Sequence, residues 1–277
     1  MGNLLEDEAG SSTKYITQMN HIENIVSTHG GGDIKIGSWL QTGSITAAEI
    51  MAKAGHNWLA LDCEHTSADI ALVENMSRAL RSYDLSFLVR VSEVNTIEIR
   101  KCLDVGAHGV IVPLVCNAKQ ASKAVQASKY QPLGNRGHCF GRMNEWGADF
   151  KSYSENGNSR TIVIIMIESK EGVENIEEIL KVPGIDGIFV GPYDLSGSYG
   201  IPGDIDNQIM CEALDVIYNA CKCANVPFGQ HFINKSTEAV IEAVRAGNDI
   251  ICVDADSIFL SRSANKFLDQ FVQYNHG

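Results

Sequence analysis

An excess of positive charge is what this chain of 277 residues lacks: 22 Lys and Arg stand against 34 Asp and Glu, a net charge of −12. Neither sign gathers into a long run. Nucleic acid and anionic membrane surfaces both need clustered cations, so neither is an expected partner. An anionic small substrate is still allowed, because a pocket can be locally positive. No stretch reaches the 18 consecutive apolar residues of a membrane span, and residues 1–27 contain no apolar signal core. The expectation is a cytoplasmic protein. The eight cysteines (Cys63, Cys102, Cys116, Cys139, Cys211, Cys221, Cys223 and Cys252) are dispersed, and Cys221-Lys222-Cys223 lacks zinc-ligand spacing. That pattern suits free thiols in a reducing compartment. Gly30-Gly31-Gly32 has no strand before it and no Lys-Ser/Thr after it, so it reads as a linker and not as a phosphate loop.

What is present is alternation. Apolar runs at 34–40, 58–62, 86–91, 109–115, 161–167, 187–190, 227–232 and 249–254 read as strands. Helical spacing fills 46–54, 70–82, 96–105, 119–128, 172–182, 208–224, 236–246 and 262–273. Ala54-Gly55, Val105-Gly106 and Ala246-Gly247 supply stop signals before the next strand. Eight strands each followed by a helix predict one closed (β/α)₈ TIM barrel over 33–277, a length such a barrel fits. Residues 1–32 read as a flexible extension, with a short helix possible over 14–27. The connection 129–160 is Gly/Asn/Ser-rich, carries Arg136, His138 and Arg142, and is too long to be a plain loop.

The organising stretch is 161–197, strand–helix–strand with a carboxylate after each strand, Glu168 and then Asp194. In such a barrel the site is built at the C-terminal ends of the strands. Each acid alone could serve a helix N-terminus. Together on neighbouring strands they repel unless a cation joins them, and oxygen-only ligands suit Mg²⁺ or Mn²⁺, with Co²⁺ compatible. The same strand-end rule selects Asp62-Cys63-Glu64-His65 and Arg90. Asp62 orienting His65 makes a general base near neutral pH. Arg90 inside an apolar strand needs an anion, either Glu64 or a substrate oxygen. A cation that chelates a 2-oxo acid acidifies its neighbouring C–H, and Arg90 would meet the enolate oxygen. A Schiff-base route needs a strand lysine, and the only one is Lys35, at the wrong end of the first strand.

Several ordered motifs resemble the HpcH/HpaI family of class II, metal-dependent pyruvate aldolases. They include Ile36-Gly37-Ser38-Trp39, Leu61-Asp62-Cys63-Glu64-His65, Val89-Arg90-Val91, Tyr130-Gln131-Pro132, Arg136-Gly137, Ile167-Glu168-Ser169 and Val190-Gly191-Pro192-Tyr193-Asp194. The resemblance implies that Glu168 and Asp194 hold the metal and that Arg90 binds the keto oxygen. It also implies that amides around Gly191, Tyr193 and Asp194 take the substrate carboxylate, and that Asp62 and His65 form an acid/base dyad. A trimer or hexamer with an exchanged C-terminal helix is implied as well. The chain departs from the family at Met166, at His138-Cys139-Phe140, at Gln230-His231 and at Asp254. Placed at the mouth, these changes suggest an acceptor that is polar, sugar-like or large. The predicted reaction is reversible cleavage of a 4-hydroxy-2-oxo acid to pyruvate, or a related 2-oxo acid, and an aldehyde. The rivals are an acyl-CoA or citrate-type lyase or synthase using the same site, and a non-catalytic oligomeric barrel.

Overall fold

The structure, a computed structural model, describes residues 21–28 and 33–276. Eight strands are present: β1 (Ile36–Leu40), β2 (Trp58–Asp62), β3 (Ser86–Arg90), β4 (Gly109–Val112), β5 (Ile162–Ile167), β6 (Gly187–Val190), β7 (Phe228–Phe232) and β8 (Ile250–Ala255). They close in sequence order into one parallel barrel, with β8 pairing back to β1. Helices cover the outside and the strands are buried on both faces, which is why they read as near-continuous apolar runs.

Side chains alternate between the two faces of each strand. One set fills the interior, among them Trp39, Trp58, Ala60, Leu88, Ile111, Met166, Phe189 and Cys252. The other packs beneath the helices, among them Leu59, Leu61, Val89, Val163 and Ile165. Gly37 makes room for the interior, since a Cβ there would fall 1.9 Å from the Trp58 ring. Two residues beyond Ala60, Leu88 and Met166, the inward positions are Asp62, Arg90 and Glu168. The chemistry therefore sits directly on top of the apolar filling.

The end opposite the mouth is closed by residues 21–28, part of the stretch expected to be a flexible extension. A 3₁₀ turn, His21–Asn24, leads to the fully buried Ile25. Ser86 Oγ donates to His21 O (2.9 Å) and Ser27 N to Asp249 O (2.7 Å), so the segment is tied to both sides of the barrel floor. The remainder of the expected extension, and most of its 14–27 helix, lies outside the described residues.

His21 stacks on His108 with ring centroids 3.8 Å apart. Burial pushes His21 down to about 4, helped by Arg160, and pushes His108 down to about 3, helped by His21. The folded state holds both rings neutral, so below about pH 6.5 the unfolded chain takes up protons that the folded chain refuses. Stability is full above that pH and falls toward pH 4, by about 1 kcal/mol per pH unit for each ring. Denaturant midpoints measured at pH 7 and pH 5 should show this loss. His21→Phe, which keeps the stack and removes a buried Nδ1 that has no partner among the described residues, should flatten the slope.

Other boundaries shift for local reasons. The predicted helix at 172–182 is two pieces, Lys170–Glu174 and Ile176–Leu180, broken at Asn175, whose Nδ2 donates to Cys116 O (2.9 Å). The long connection contains a 3₁₀ segment, Arg142–Gly147, and a helix, Phe150–Arg160. It runs from the end of one helix into the start of β5, which places it at the floor end of the barrel. Among the described residues no helix is long and apolar enough to cross a membrane.

Candidate active site

The register of β2 and β3 sets Asp62 directly opposite Arg90. Their side chains form a two-pronged ion pair, Arg90 Nε to Asp62 Oδ1 at 2.9 Å and Nη2 to Oδ2 at 2.6 Å. Asp62 is fully buried. It also accepts the backbone N–H groups of Glu64 (3.1 Å) and His65 (3.2 Å) and, at 3.3 Å, Gln41 Nε2. Burial alone would raise its pKa, but the Arg90 guanidinium and these donors hold the carboxyl below its ordinary value. Arg90 lies over the Trp39 ring, 4.5 Å from its centroid, and its free Nη1 reaches Glu64 Oε2 at 3.3 Å. A planar fork fixed on both sides is a preorganised anion receptor.

This pairing corrects the sequence reading twice. Arg90 is held chiefly by Asp62, with Glu64 as a second contact. The expected Asp62–His65 dyad does not form, because both Asp62 oxygens are committed to the guanidinium and to backbone amides. His65 instead projects outward, its side chain 56 % exposed, with Nε2 3.7 Å from Glu64 Oε2. Among the described residues that same Glu64 oxygen is buried without a hydrogen bond, and burial pushes its carboxyl up against the opposing pull of Arg90.

Glu168 follows β5 and is buried. Its Oε1 accepts the Leu114 N–H at 2.6 Å, which the left-handed backbone of Leu114 (φ 56°) presents to it. Its other oxygen lies against bare backbone, since a Cβ on Gly191 would fall 2.6 Å from Oε2. Burial lifts the Glu168 carboxyl to about 7; the Leu114 N–H opposes this, while Glu64 and Asp194 add negative charge. Asp194 lies in the first turn of the helix Pro192–Ser198, which Gly191 caps and Pro192 begins. Tyr193, beside it, is exposed. Asp194 is near enough for its charge to push the Glu168 carboxyl up.

Such a group suits a hard cation. A buried carboxylate lifted by desolvation and by like charges is what a divalent ion would relieve, and the available donors are oxygens. Among the described residues no group of three or more His, Cys, Asp and Glu could hold a metal. Glu168 and Asp194 alone would leave coordination positions for water and substrate, the pattern typical of Mg²⁺ sites.

The family departures separate by position. Met166 lies in the interior beneath Glu168, and His231 lies on the inner wall against Trp39; Asp254 turns its carboxylate to Asn234 N and Arg262 and meets His231 only through its carbonyl. His138 does not belong to the mouth: it stacks on Tyr130 (4.2 Å) in the floor-end connection. Gln230 also points away, with its amide on Asn248 Oδ1 (3.1 Å). Sequence reasoning missed Gln41, which braces Asp62. It is the residue directly after β1, so the strand-end rule would have found it.

The chain matches the model of the HpcH/HpaI aldolase/citrate lyase family over residues 35–257. It is 31 % identical over 242 residues to a 2-keto-3-deoxy-L-rhamnonate aldolase from Klebsiella pneumoniae, covering 87 % of this chain and 90 % of that one. A 4-hydroxy-2-oxo-heptane-1,7-dioate aldolase from Shigella sonnei is also 31 % identical over 242 residues, covering 87 % and 91 %. Among solved structures, an HpcH/HpaI aldolase/citrate lyase family protein from Burkholderia cenocepacia superposes with a TM-score of 0.80 at 32 % identity, over 86 % of this chain and 94 % of that one. With barrel and sequence in agreement along most of its length, the chain belongs to the HpcH/HpaI aldolase/citrate lyase family.

Proposed function

We propose that the chain is a divalent-metal-dependent aldolase. It would reversibly cleave a 4-hydroxy-2-oxo acid into pyruvate, or a related 2-oxo acid, and an aldehyde whose chain is polar or sugar-like. The observation that carries this is the pairing of two opposite demands in one place: a buried Glu168 carboxylate short of positive charge, and an Arg90 fork built to receive an oxyanion.

Glu168 and Asp194 would hold Mg²⁺ or Mn²⁺, with Co²⁺ a further candidate. The ion, when bound, supplies Lewis-acid polarisation of the 2-oxo group. The first-turn amides of Tyr193 and Asp194, beside Gly191, lack intrahelical acceptors and suit the substrate carboxylate. In cleavage the bond between C3 and C4 breaks, the 4-hydroxyl loses its proton, and its oxygen becomes the aldehyde. The electron pair passes to the enolate oxygen, where Arg90 neutralises it, and C3 is then protonated to give pyruvate. His65 at the mouth would move these protons through water, with Glu64 as its carboxylate neighbour. Asp62 acts through Arg90, holding the guanidinium in one orientation.

The test combines purified protein, Mg²⁺ or Mn²⁺, pyruvate and a panel of aldehydes. New 4-hydroxy-2-oxo acids are expected. Turnover confined to acyl-CoA thioesters, or no carbon–carbon bond chemistry at all, would overturn the reading.

We also assign the C-terminal helix, Asp256–His276, to a homo-oligomer interface. Leu260, Phe267, Phe271 and Tyr274 recur at helical spacing, and each is more than half exposed. Sedimentation should give a trimer or hexamer, and Phe267→Asp with Phe271→Asp should shift the protein to monomer. A monomeric wild-type protein would contradict this.

A further inference from the structure

His231 belongs to the inward face of β7. Phe232 packs outside the barrel and Gln230 turns to Asn248, while His231 pairs in register with Cys252 of the interior cluster. Its ring stands edge-on to Trp39, with centroids 6.1 Å apart, and Trp39 carries the Arg90 guanidinium on its face. The imidazole and the guanidinium thus share one aromatic wall.

The ring is fixed in one tautomer. Nε2 lies 2.9 Å from the backbone oxygen of Asp254, and a carbonyl only accepts, so Nε2 carries the proton and Nδ1 keeps its lone pair. Asp254 is itself immobilised. Its backbone is left-handed (φ 48°), its carbonyl also accepts Ser38 Oγ (3.2 Å), and its carboxylate holds Asn234 N–H (2.8 Å) and Arg262. Nδ1 of His231 has no hydrogen-bond partner among the described residues. His231 is only partly buried. It therefore meets solvent. For a ring that faces inward above an apolar filling, that solvent is in the mouth. Burial and the Arg90 charge push the ring down to about 4, against the pull of the Asp254 carbonyl, so the lone pair persists at neutral pH.

We propose that His231 selects the acceptor aldehyde by accepting, at Nδ1, a hydrogen bond from a hydroxyl on its chain. The inference rests on the aldolase reading of the same site and narrows its substrate class. A rigid, unprotonated acceptor favours an O–H donor, gains nothing from an alkyl chain and repels a carboxylate tail. Hydroxyaldehydes are the class selected, in preference to alkyl aldehydes and semialdehydes with terminal acids.

The experiment measures kcat/KM for aldol addition of pyruvate to 2-hydroxypropanal and to propanal, which differ by one hydroxyl. Wild type, His231→Phe, His231→Leu and His231→Asn are compared with Mg²⁺ or Mn²⁺ present. Wild type should favour the hydroxyaldehyde by about 10-fold or more. His231→Phe, which keeps a ring against Trp39, should bring the ratio close to one. His231→Leu repeats the test should the Phe variant fail to fold, and His231→Asn, with its carboxamide oxygen, should restore part of the preference. Exchange of the pyruvate methyl protons with solvent is recorded for each protein. An unchanged ratio in the folded Phe or Leu variant, with exchange active in wild type, would overturn the role of His231 alone. Absence of exchange and of addition in wild type would overturn the aldolase reading and this inference with it.

Discussion

Glutamine at position 168 is expected to cut kcat/KM for aldol cleavage by at least about 10³-fold, a loss of about 4 kcal/mol of transition-state stabilisation. The same change should leave the metal-free protein as stable as wild type or more so. The two effects share one cause. Burial raises the Glu168 carboxyl to about 7, well above its ordinary value. Such a group binds its proton more tightly folded than unfolded, so it costs stability as pH rises from about 4.5 through 7. Glutamine removes that cost, on the order of 1–3 kcal/mol, and its amide oxygen can still accept the Leu114 N–H. Steady-state kinetics with added metal, and urea denaturation in EDTA at pH 7.5, separate the two. An active Glu168→Gln enzyme would deny this carboxylate its role.

Changes at Arg90 should divide stability from chemistry in the opposite way. Arg90→Met leaves Asp62 fully buried without its counter-charge and is expected to cost about 3–5 kcal/mol. Adding Asp62→Asn removes the stranded charge, and its side-chain oxygen can still accept the Glu64 and His65 amides, so much of that stability should return. Activity should not return. Arg90→Lys keeps the charge but cannot form the two-pronged pair, so a folded enzyme slowed by about 10²–10³-fold is expected. Denaturant midpoints and kcat for the three variants check this; an Arg90→Met/Asp62→Asn protein with wild-type kcat would exclude Arg90 from the reaction.

The barrel was legible because most strands are buried on both faces and most helices carry a one-sided stripe, so the two periods alternate plainly. The helix Phe150–Arg160 was not, since FKSYSENGNSR has few apolar residues to mark a face. The helix Pro192–Ser198 was hidden because its seven residues follow a strand with no loop between them. Strand-end position was legible for Asp62, Arg90, Glu168 and Asp194, which stand at or just beyond the ends of β2, β3, β5 and β6. Who pairs with whom was not readable, because Asp62 meets Arg90 through a strand register that no single strand encodes. Gln230 and His138 were placed wrongly although signals existed. Gln230 alternates with Phe228 and Phe232 and so shares their outward face, and His138 lies between a helix and the next strand, which puts it at the floor end.

Proton exchange at the methyl group of pyruvate, followed by NMR in D₂O without any aldehyde, tests the central claim most directly. It isolates enolate formation from every question about the acceptor. The expected result is fast exchange with Mg²⁺ or Mn²⁺, its loss in EDTA, and its restoration when the ion is returned. Exchange that continues undiminished in EDTA, or that survives in Glu168→Gln, would contradict a cation held by Glu168 and Asp194.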